Sequence, residues 1–326
     1  MSNFTLRQLS YFCSIASTGS ISAAAEREHV SRSAMTAALD ELERALRTQL
    51  CSRHRSSGVV LTPAGDRVFE HAISLLREAD DLEATADGQR LSGTITVGCF
   101  PSLAPTILPT MFTLFERLHP EVTVDPTAAD QETLLQRLRS GAIELAVMYN
   151  MHLDHAFETV RLYDTAMHVI LSAEHPLAGG RTVSAAALES EPMILLEVPP
   201  SAEDVLSYFK AQGLSPNVRL RTSHFELVRS LVAQGLGYSL FIQRPRIHQS
   251  YEGLPLVARA LDPRPHLERV SVVWPAGRRL SSKARRFVEL AREHAGSYAP
   301  EPLYSAPPDP APSTTRGDPG ADSRAG

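Results

Sequence analysis

The stretch from Ser20 to Leu50, SISAAAEREHVSRSAMTAALDELERALRTQL, constrains the fold more than any other part of this chain. Ala23, Ala24 and Ala25 lie in an alanine-rich helix, and small residues of this kind let a second helix approach closely. A tight break follows at His29-Val30-Ser31, where Ser31 is suited to accept a hydrogen bond from the free N–H groups of the next helix. Met35, Leu39, Leu42 and Leu46 step by four, three and four, so they form one apolar stripe. Arg32, Ser33, Ala34, Thr36 and Ala37 are left near the exposed start of that helix. This is the build of a helix-turn-helix, whose second helix enters the DNA major groove by its N-terminal end.

A helical hairpin in an ordinary core gives the same local pattern, so the flanks decide. Before the pair, Leu6, Leu9, Phe12, Ile15 and Ala16 share one side of a helix. After it, residues 50–61 form two short strand-like runs around a polar, Gly-containing turn. Such a hairpin is a wing, and its Arg53, His54 and Arg55 suit phosphates or a minor groove. Thr62-Pro63-Ala64-Gly65 then starts a new helix, with Thr62 as N-cap and Pro63 at the first helical position.

These segments resemble the LysR-type transcriptional regulators. The resemblance is carried by LRQLSYF, TGSISAAAE, HVSRSAM, LDELERAL and LTPAGDRVFEHA, in matching order and spacing from Asn3 to about Asp87, and continues more loosely to about Ala295. The chain departs from the family pattern at four positions. Glu28 stands where an apolar residue is usual, Arg47 where a Gly supplies a left-handed helix end, Cys51 where a Phe anchors the wing, and Arg32 where a Gln commonly faces the bases. Arg at that last position favours the acceptor pair of guanine.

Charge is distributed to match. The net charge is −5 and the pI about 6.2, which argues against a wholly basic nucleic-acid coat protein. Residues 1–65, however, carry seven Arg against five acids, while Asp66 to Asp87 carries two Arg against seven acids. The cationic end is therefore the head, and the next helix faces away from phosphates. Three cysteines, Cys13, Cys51 and Cys99, are odd in number and lack metal-ligand spacing, so neither a disulfide framework nor a zinc site is expected, and a reducing cytoplasm fits. No signal segment and no bilayer-length apolar run is read, so no membrane partner is expected.

Asp66 to Asp87 reads as one helix with Val68, Ala72, Leu75, Ala79 and Leu82 along an a/d seam, followed by a hinge at Gln89 to Gly93. A helix docked on a globular core gives a similar stripe. In the resembled family the matching helix pairs with a second subunit, which places two recognition helices on successive half-sites. From Gly93 strand and helix alternate, which implies parallel α/β sheets. The resemblance implies a winged helix-turn-helix (1–62), a dimerisation helix and hinge (63–91), and an effector region (92–298). That region would hold two Rossmann-like subdomains similar to periplasmic solute-binding proteins, the first using 92–163 and 268–298, the second 164–267. Residues 299–326, rich in Pro, Gly, Ala and Ser and without apolar periodicity, read as a disordered tail.

Ligands of open α/β sheets bind outside the carboxyl ends of strands, where helix N-termini also point. Pro101, Ser102 and Leu103, Pro200 and Ser201, Ser223, His224 and Phe225, and Ser239 fall there, as do Asp130, Tyr149 and Asn150. A serine in such a place is often only an N-cap. Their joint placement matches the effector cleft of the resembled family. No GxGxxG, GxxxxGK[ST] or GxSxG motif is present, and His152 and His155 lack further zinc-spaced ligands, so no catalytic residue, metal or cofactor is assigned. The reading is a cytoplasmic, dimeric or tetrameric regulator whose partners are double-stranded DNA, a small organic effector, further copies of itself and RNA polymerase. The competing classes are a cytosolic solute-binding sensor and an enzyme with a scattered active site.

Overall fold

The structure is a computed structural model that describes residues 3–54, 58–86 and 91–304. The N-terminal head comprises α1 (Leu6–Thr18), α2 (Ile21–Arg27), α3 (Arg32–Leu46), a hairpin of β1 (Cys51–His54) and β2 (Gly58–Leu61), and the start of α4 (Pro63–Ala86). Each of the first three helices begins on a hydroxyl that accepts a backbone N–H: Thr5 from Gln8, Ser20 from Ala23 and Ser31 from Ala34. Phe12, Ile15, Met35, Leu39 and Leu42 are fully buried between them. The hairpin is pinned to the helices by Val59 N–H donating to the Gly19 carbonyl at 2.9 Å. Gly58 makes that approach possible, because a Cβ there would stand 2.5 Å from the same carbonyl oxygen.

The helix α4 leaves the head on the Thr62 cap, whose hydroxyl accepts from Gly65 N–H at 3.0 Å and donates to the Gln49 carbonyl at 2.7 Å. The expected seam along this helix needs correction. Ala72 is buried in the head core beside Phe69 and Ile73, and Val68 packs against the same core. The Phe69 ring meets Phe12 edge-on at 6.2 Å. With 3.6 residues per turn, the first turns spend Phe69, Ala72, Ile73 and Leu76 on the head, which turns Leu75 and Leu82 outward. Ala79 is half-buried.

The remainder forms two α/β bodies. The first is a five-stranded sheet of order β4-β3-β5-β13-β6, built from β3 (Gly93–Cys99), β4 (Val122–Ala128), β5 (Leu145–Tyr149), β6 (Phe157–Ala166) and β13 (Leu267–Pro275). It packs α5 (Ala104–Leu118), α6 (Gln131–Arg139) and α10 (Ser282–Glu293). The second body holds a four-stranded sheet of order β11-β7-β12-β8, from β7 (His168–Ser172), β8 (Thr182–Ser184), β11 (Ser239–Phe241) and β12 (Leu256–Asp262). A parallel pair of β9 (Pro192–Leu196) and β10 (Asn217–Thr222) continues from it through the Met193–Tyr238 bridge. Its helices are α7 (Ala185–Leu188), α8 (Ser201–Lys210) and α9 (Phe225–Ala233).

The sheets are mixed rather than parallel as strand–helix alternation implied. β13 runs antiparallel to both β5 and β6, and β11 and β12 run antiparallel to β7. The cause is connectivity: the chain crosses between bodies at β6–β7 and again at β12–β13, so the returning strands enter reversed. β6 stays in the first sheet to Ala166, beyond Tyr163, because its partner strand β13 begins at Leu267.

The expectation of a disordered tail from residue 299 also fails for its first part. After α11 (Ala295–Tyr298), residues 299–304 dock on the molecule through Tyr304, which is half-buried. The Pro-rich composition hid one aromatic anchor. Residues 305–326 lie outside the described residues.

Candidate functional site

At the start of α3, Arg32, Ser33, Ala34 and Ala37 are exposed and Thr36 half-buried, while Met35 and Leu39 point into the core. The Ser31 cap leaves its hydroxyl 3.0 Å from that of Ser33. The face therefore offers a guanidinium, hydroxyls, small apolar surface and a helix N-terminus, the equipment for base edges and phosphates. Glu43, further along α3, accepts the N–H groups of Leu50 at 2.7 Å and Cys51 at 3.0 Å, and so sets the wing against the recognition helix. Arg53 and His54 lie on β1, with side chains outside the described residues, as is all of Arg55.

Between the two α/β bodies lies a narrow, nearly closed pocket of about 20 Å³. Phe100 and Ser102 reach it from the turn after β3, Tyr149 from the end of β5, Ser201 and Val205 from α8, Phe225 from α9, and Leu240 to Gln243 from β11 and its exit. The Ser102 and Tyr149 hydroxyls lie 3.1 Å apart. Phe100 meets Tyr149 edge-on at 5.2 Å, and Phe225 stacks on Phe241 at 4.3 Å. Burial, reinforced by the neighbouring Tyr163, pushes the Tyr149 hydroxyl well above the ordinary phenol range, against the opposing hydrogen bond from Ser102. It stays a neutral phenol. None of the lining side chains carries a charge.

Gln243 ties the two bodies across this pocket. It is 1% exposed. Its amide N–H donates to the Thr106 hydroxyl at 3.3 Å, and its carbonyl accepts from the Tyr163 hydroxyl at 3.2 Å. The Thr165 hydroxyl adds a bond to the Ile242 carbonyl at 2.9 Å.

Comparison with known proteins fits both halves. The family model of the bacterial regulatory helix-turn-helix protein, lysR family, matches residues 6–66, and that of the LysR substrate binding domain matches residues 88–296. The chain belongs to the LysR family. A hydrogen peroxide-inducible genes activator of Dickeya chrysanthemi is 28% identical over 89% of this chain and 95% of its own length. The crystal structure of HinK, a LysR family transcriptional regulator from Pseudomonas aeruginosa, is 35% identical, covers 91% of this chain and 100% of that one, and superposes with a TM-score of 0.60. The C-terminal domain of a probable LysR family regulator from Rhodococcus sp. RHA1 is 39% identical over 61% of this chain and 98% of its own, with a TM-score of 0.59. As a LysR-type transcriptional regulator, the protein is a DNA-binding and effector-binding protein, not an enzyme.

Within this LysR-type effector domain, four of the expected cleft residues meet at the pocket: Ser102, Tyr149, Ser201 and Phe225. The others do not. Leu103 is wholly buried in the first body's core and Pro101 sits in the turn beside it, because the first residues of α5 close back on Phe100. Ser102 is not a cap either: Leu103 occupies the α5 N-cap position without a side-chain bond, and Pro200 does so for α8. Ser223 and His224 are exposed, since the strand-to-helix turn points them outward. Ser239 is buried within its strand, away from the pocket wall. Asp130 caps α6, accepting from Thr133 N–H and hydroxyl at 2.9 Å each. The backbone bond to Thr133 holds its carboxyl below the usual range, against partial burial.

Asn150 faces a different, more open cavity of about 460 Å³, shared with His152, Asp204, His266 and Glu268. Adjacent residues of an extended segment point to opposite sides, so Tyr149 and Asn150 cannot line one wall. Burial pushes the Glu268 carboxyl up, against the pull of His266. Gln243 is the functional residue that sequence reasoning missed. Its signal was available, since it follows β11 at a strand end, but it carries an amide rather than one of the hydroxyls that mark the other strand-end candidates.

Proposed function

We propose that this regulator senses a small, uncharged and partly aromatic molecule in the pocket between Ser102, Tyr149, Ser201, Phe225 and Gln243. The observation that carries this reading is the lining itself: aromatic and aliphatic walls, neutral hydrogen-bonding groups and no ionised side chain. An ionised ligand buried there would lack a countercharge, which is costly. At about 20 Å³ the pocket is closed around little more than a water, so a ligand enters only as the two bodies move apart; its preference for that arrangement is the differential affinity that drives the response. DNA is read by Arg32, Ser33, Ala34, Thr36 and Ala37, with Arg53, His54 and Arg55 on the backbone or minor groove. The protein works in the cytoplasm as a dimer or tetramer, and passes the signal to RNA polymerase.

The peroxide response named for its relatives does not carry over through a cysteine pair. Two of the three cysteines, Cys13 and Cys51, belong to the DNA-binding head, which leaves Cys99 alone in the effector region. Cys99 is buried, and burial pushes its thiol far above the ordinary range, away from the reactive thiolate.

A reporter driven by the promoter next to the gene tests the pocket. Ser102→Leu fills it and is expected to abolish induction while DNA affinity and oligomer mass stay at parent values. Full induction in that variant would place the effector elsewhere. In a DNA-binding titration, Arg32→Ala is expected to alter base preference by about 1–3 kcal/mol at one position.

A further inference from the structure

The strongest feature that the effector pocket does not use is the docked segment after α11. Among the described residues, two stretches of chain connect the α/β bodies: Ala166-Met167-His168, between β6 and β7, and the run from Asp262 to Leu267, between β12 and β13. Any change in the angle between the bodies must bend these two stretches. The Tyr304 hydroxyl touches both sides of that hinge. It donates to the Met167 carbonyl at 2.6 Å and accepts from the Leu261 N–H, at the end of β12, at 2.9 Å. A single oxygen thus links the outgoing and returning crossovers.

The segment is held along its length. At its start, the Tyr298 ring lies 6.1 Å from that of Tyr163 on β6, and its hydroxyl donates to the Ala291 carbonyl of α10, so this end is fixed to the first body. In the middle, the Arg244 guanidinium, just beyond Gln243, donates to the Glu301 carbonyl. At the far end, the Arg264 guanidinium sits over the Tyr304 ring at 5.2 Å, within cation–π range. A strap anchored on the first body therefore crosses to groups of the second body and ends on the hinge.

We propose that residues 299–304 are a hinge clamp that restrains the relative motion of the two bodies, with the Tyr304 hydroxyl as its latch. The clamp acts on the motion to which effector binding is coupled under the reading above, and rests on that reading only for its purpose. Met167 and Leu261 lie side by side at one end of the paired β7 and β12, so rotating the bodies carries both away from a strap fixed to the first body at Tyr298 and breaks the latch bonds; the clamp thus holds the arrangement in which Gln243 bridges Thr106 and Tyr163.

Amide hydrogen exchange on the full-length protein without effector tests this directly. The proteins compared are the parent, Tyr304→Phe, which keeps the ring and loses both latch bonds, and a chain ending at Ala299. Exchange at Leu261 is expected to rise at least about tenfold in both variants, together with a rise over Phe241 to Gln243 as the cleft opens more often, while the central β13 amides and those of α1 keep parent rates. Unchanged protection at Leu261 overturns the latch. A rise at Leu261 with Phe241 to Gln243 unchanged overturns the clamp, since the bond then restrains nothing. A uniform rise in all segments also overturns it, because the strap is then only a part of the fold. No ligand enters the measurement, so an effector pocket located elsewhere leaves the result standing.

Discussion

Ser102 and Tyr149 hold their hydroxyls 3.1 Å apart although they arise from different strands of one sheet, the first just after β3 and the second at the end of β5. The pair forms the polar floor of a pocket whose walls are mostly aromatic and aliphatic. Tyr149→Phe removes one partner and keeps the ring, including its edge contact with Phe100. A lost buried hydrogen bond of this kind costs about 1 kcal/mol. The variant is therefore expected to unfold at slightly lower urea than the parent with an unchanged slope, and to lose induction more than it loses stability. Parent induction in Tyr149→Phe would show that the phenol contributes no contact to the effector.

Arg47 ends α3 in the left-handed region, at φ 53. A side chain with a Cβ costs roughly 1–2 kcal/mol there, and glycine avoids it. Arg47 is exposed, so its side chain has little packing to lose. Arg47→Gly is expected to raise the stability of the head by about 1 kcal/mol, read as a higher thermal midpoint, with DNA affinity preserved. Arg47→Ala gives no such gain, because alanine keeps the Cβ.

If α4 pairs subunits through its outward face, substitutions on its two sides separate that pairing from head stability. Leu75 is 42% exposed and Leu82 71%, whereas Ala72 is 3% exposed. Leu75→Glu is expected to yield folded monomers with weak DNA binding, since it sets like charges against each other in a two-fold seam. Ala72→Glu instead buries a charge in the head and is expected to lower its thermal midpoint. Light scattering and a melting curve distinguish the two. A Leu75→Glu protein of parent mass would place the interface on another surface.

The head was the most legible part, because short-range rules act there without competition. Ser31 and Thr62 each precede a helix in sequence and each caps it in the structure. The seam on α4 misled because a stripe of small and apolar residues is the same in sequence whether it meets its own head or a second chain. Ala72 went to the former. Cleft residues were legible only in part. The strand-end rule located Ser102, Tyr149, Ser201 and Phe225, but it does not say which way a side chain points, and Tyr149 and Asn150 face different cavities. The reversal of β13 between β5 and β6 was hidden because crossing between two bodies is a property of the whole path. Tyr304 was hidden by its Pro-rich surroundings.

His168 gives the molecule a measurable pH dependence. It opens β7, is 1% exposed, and its Nε2 has no hydrogen-bond partner among the described residues. Burial pushes its pKa down to about 3, partly opposed by the Ala166 carbonyl and assisted by Arg244 and Arg229. The sign follows from proton counts. Below the ordinary value of 6.5 the unfolded chain holds a proton on this ring, while the folded chain does not until about pH 3. Stability from His168 is therefore complete above pH 6.5 and is lost as pH falls, by about 1.4 kcal/mol per unit, or about 2 kcal/mol between pH 7 and pH 5. That interval lies above the ordinary carboxylate range, so Asp130, whose carboxyl is held down, adds its own loss only at lower pH. His119, lowered by burial and Arg286, acts in the same direction but is common to parent and variant. Urea unfolding of the parent and of His168→Gln at both pH values isolates the term. The parent is expected to lose about 2 kcal/mol more than the variant across the interval. Equal losses would mean that His168 takes up its proton in the folded state, and that the strand has room to solvate it.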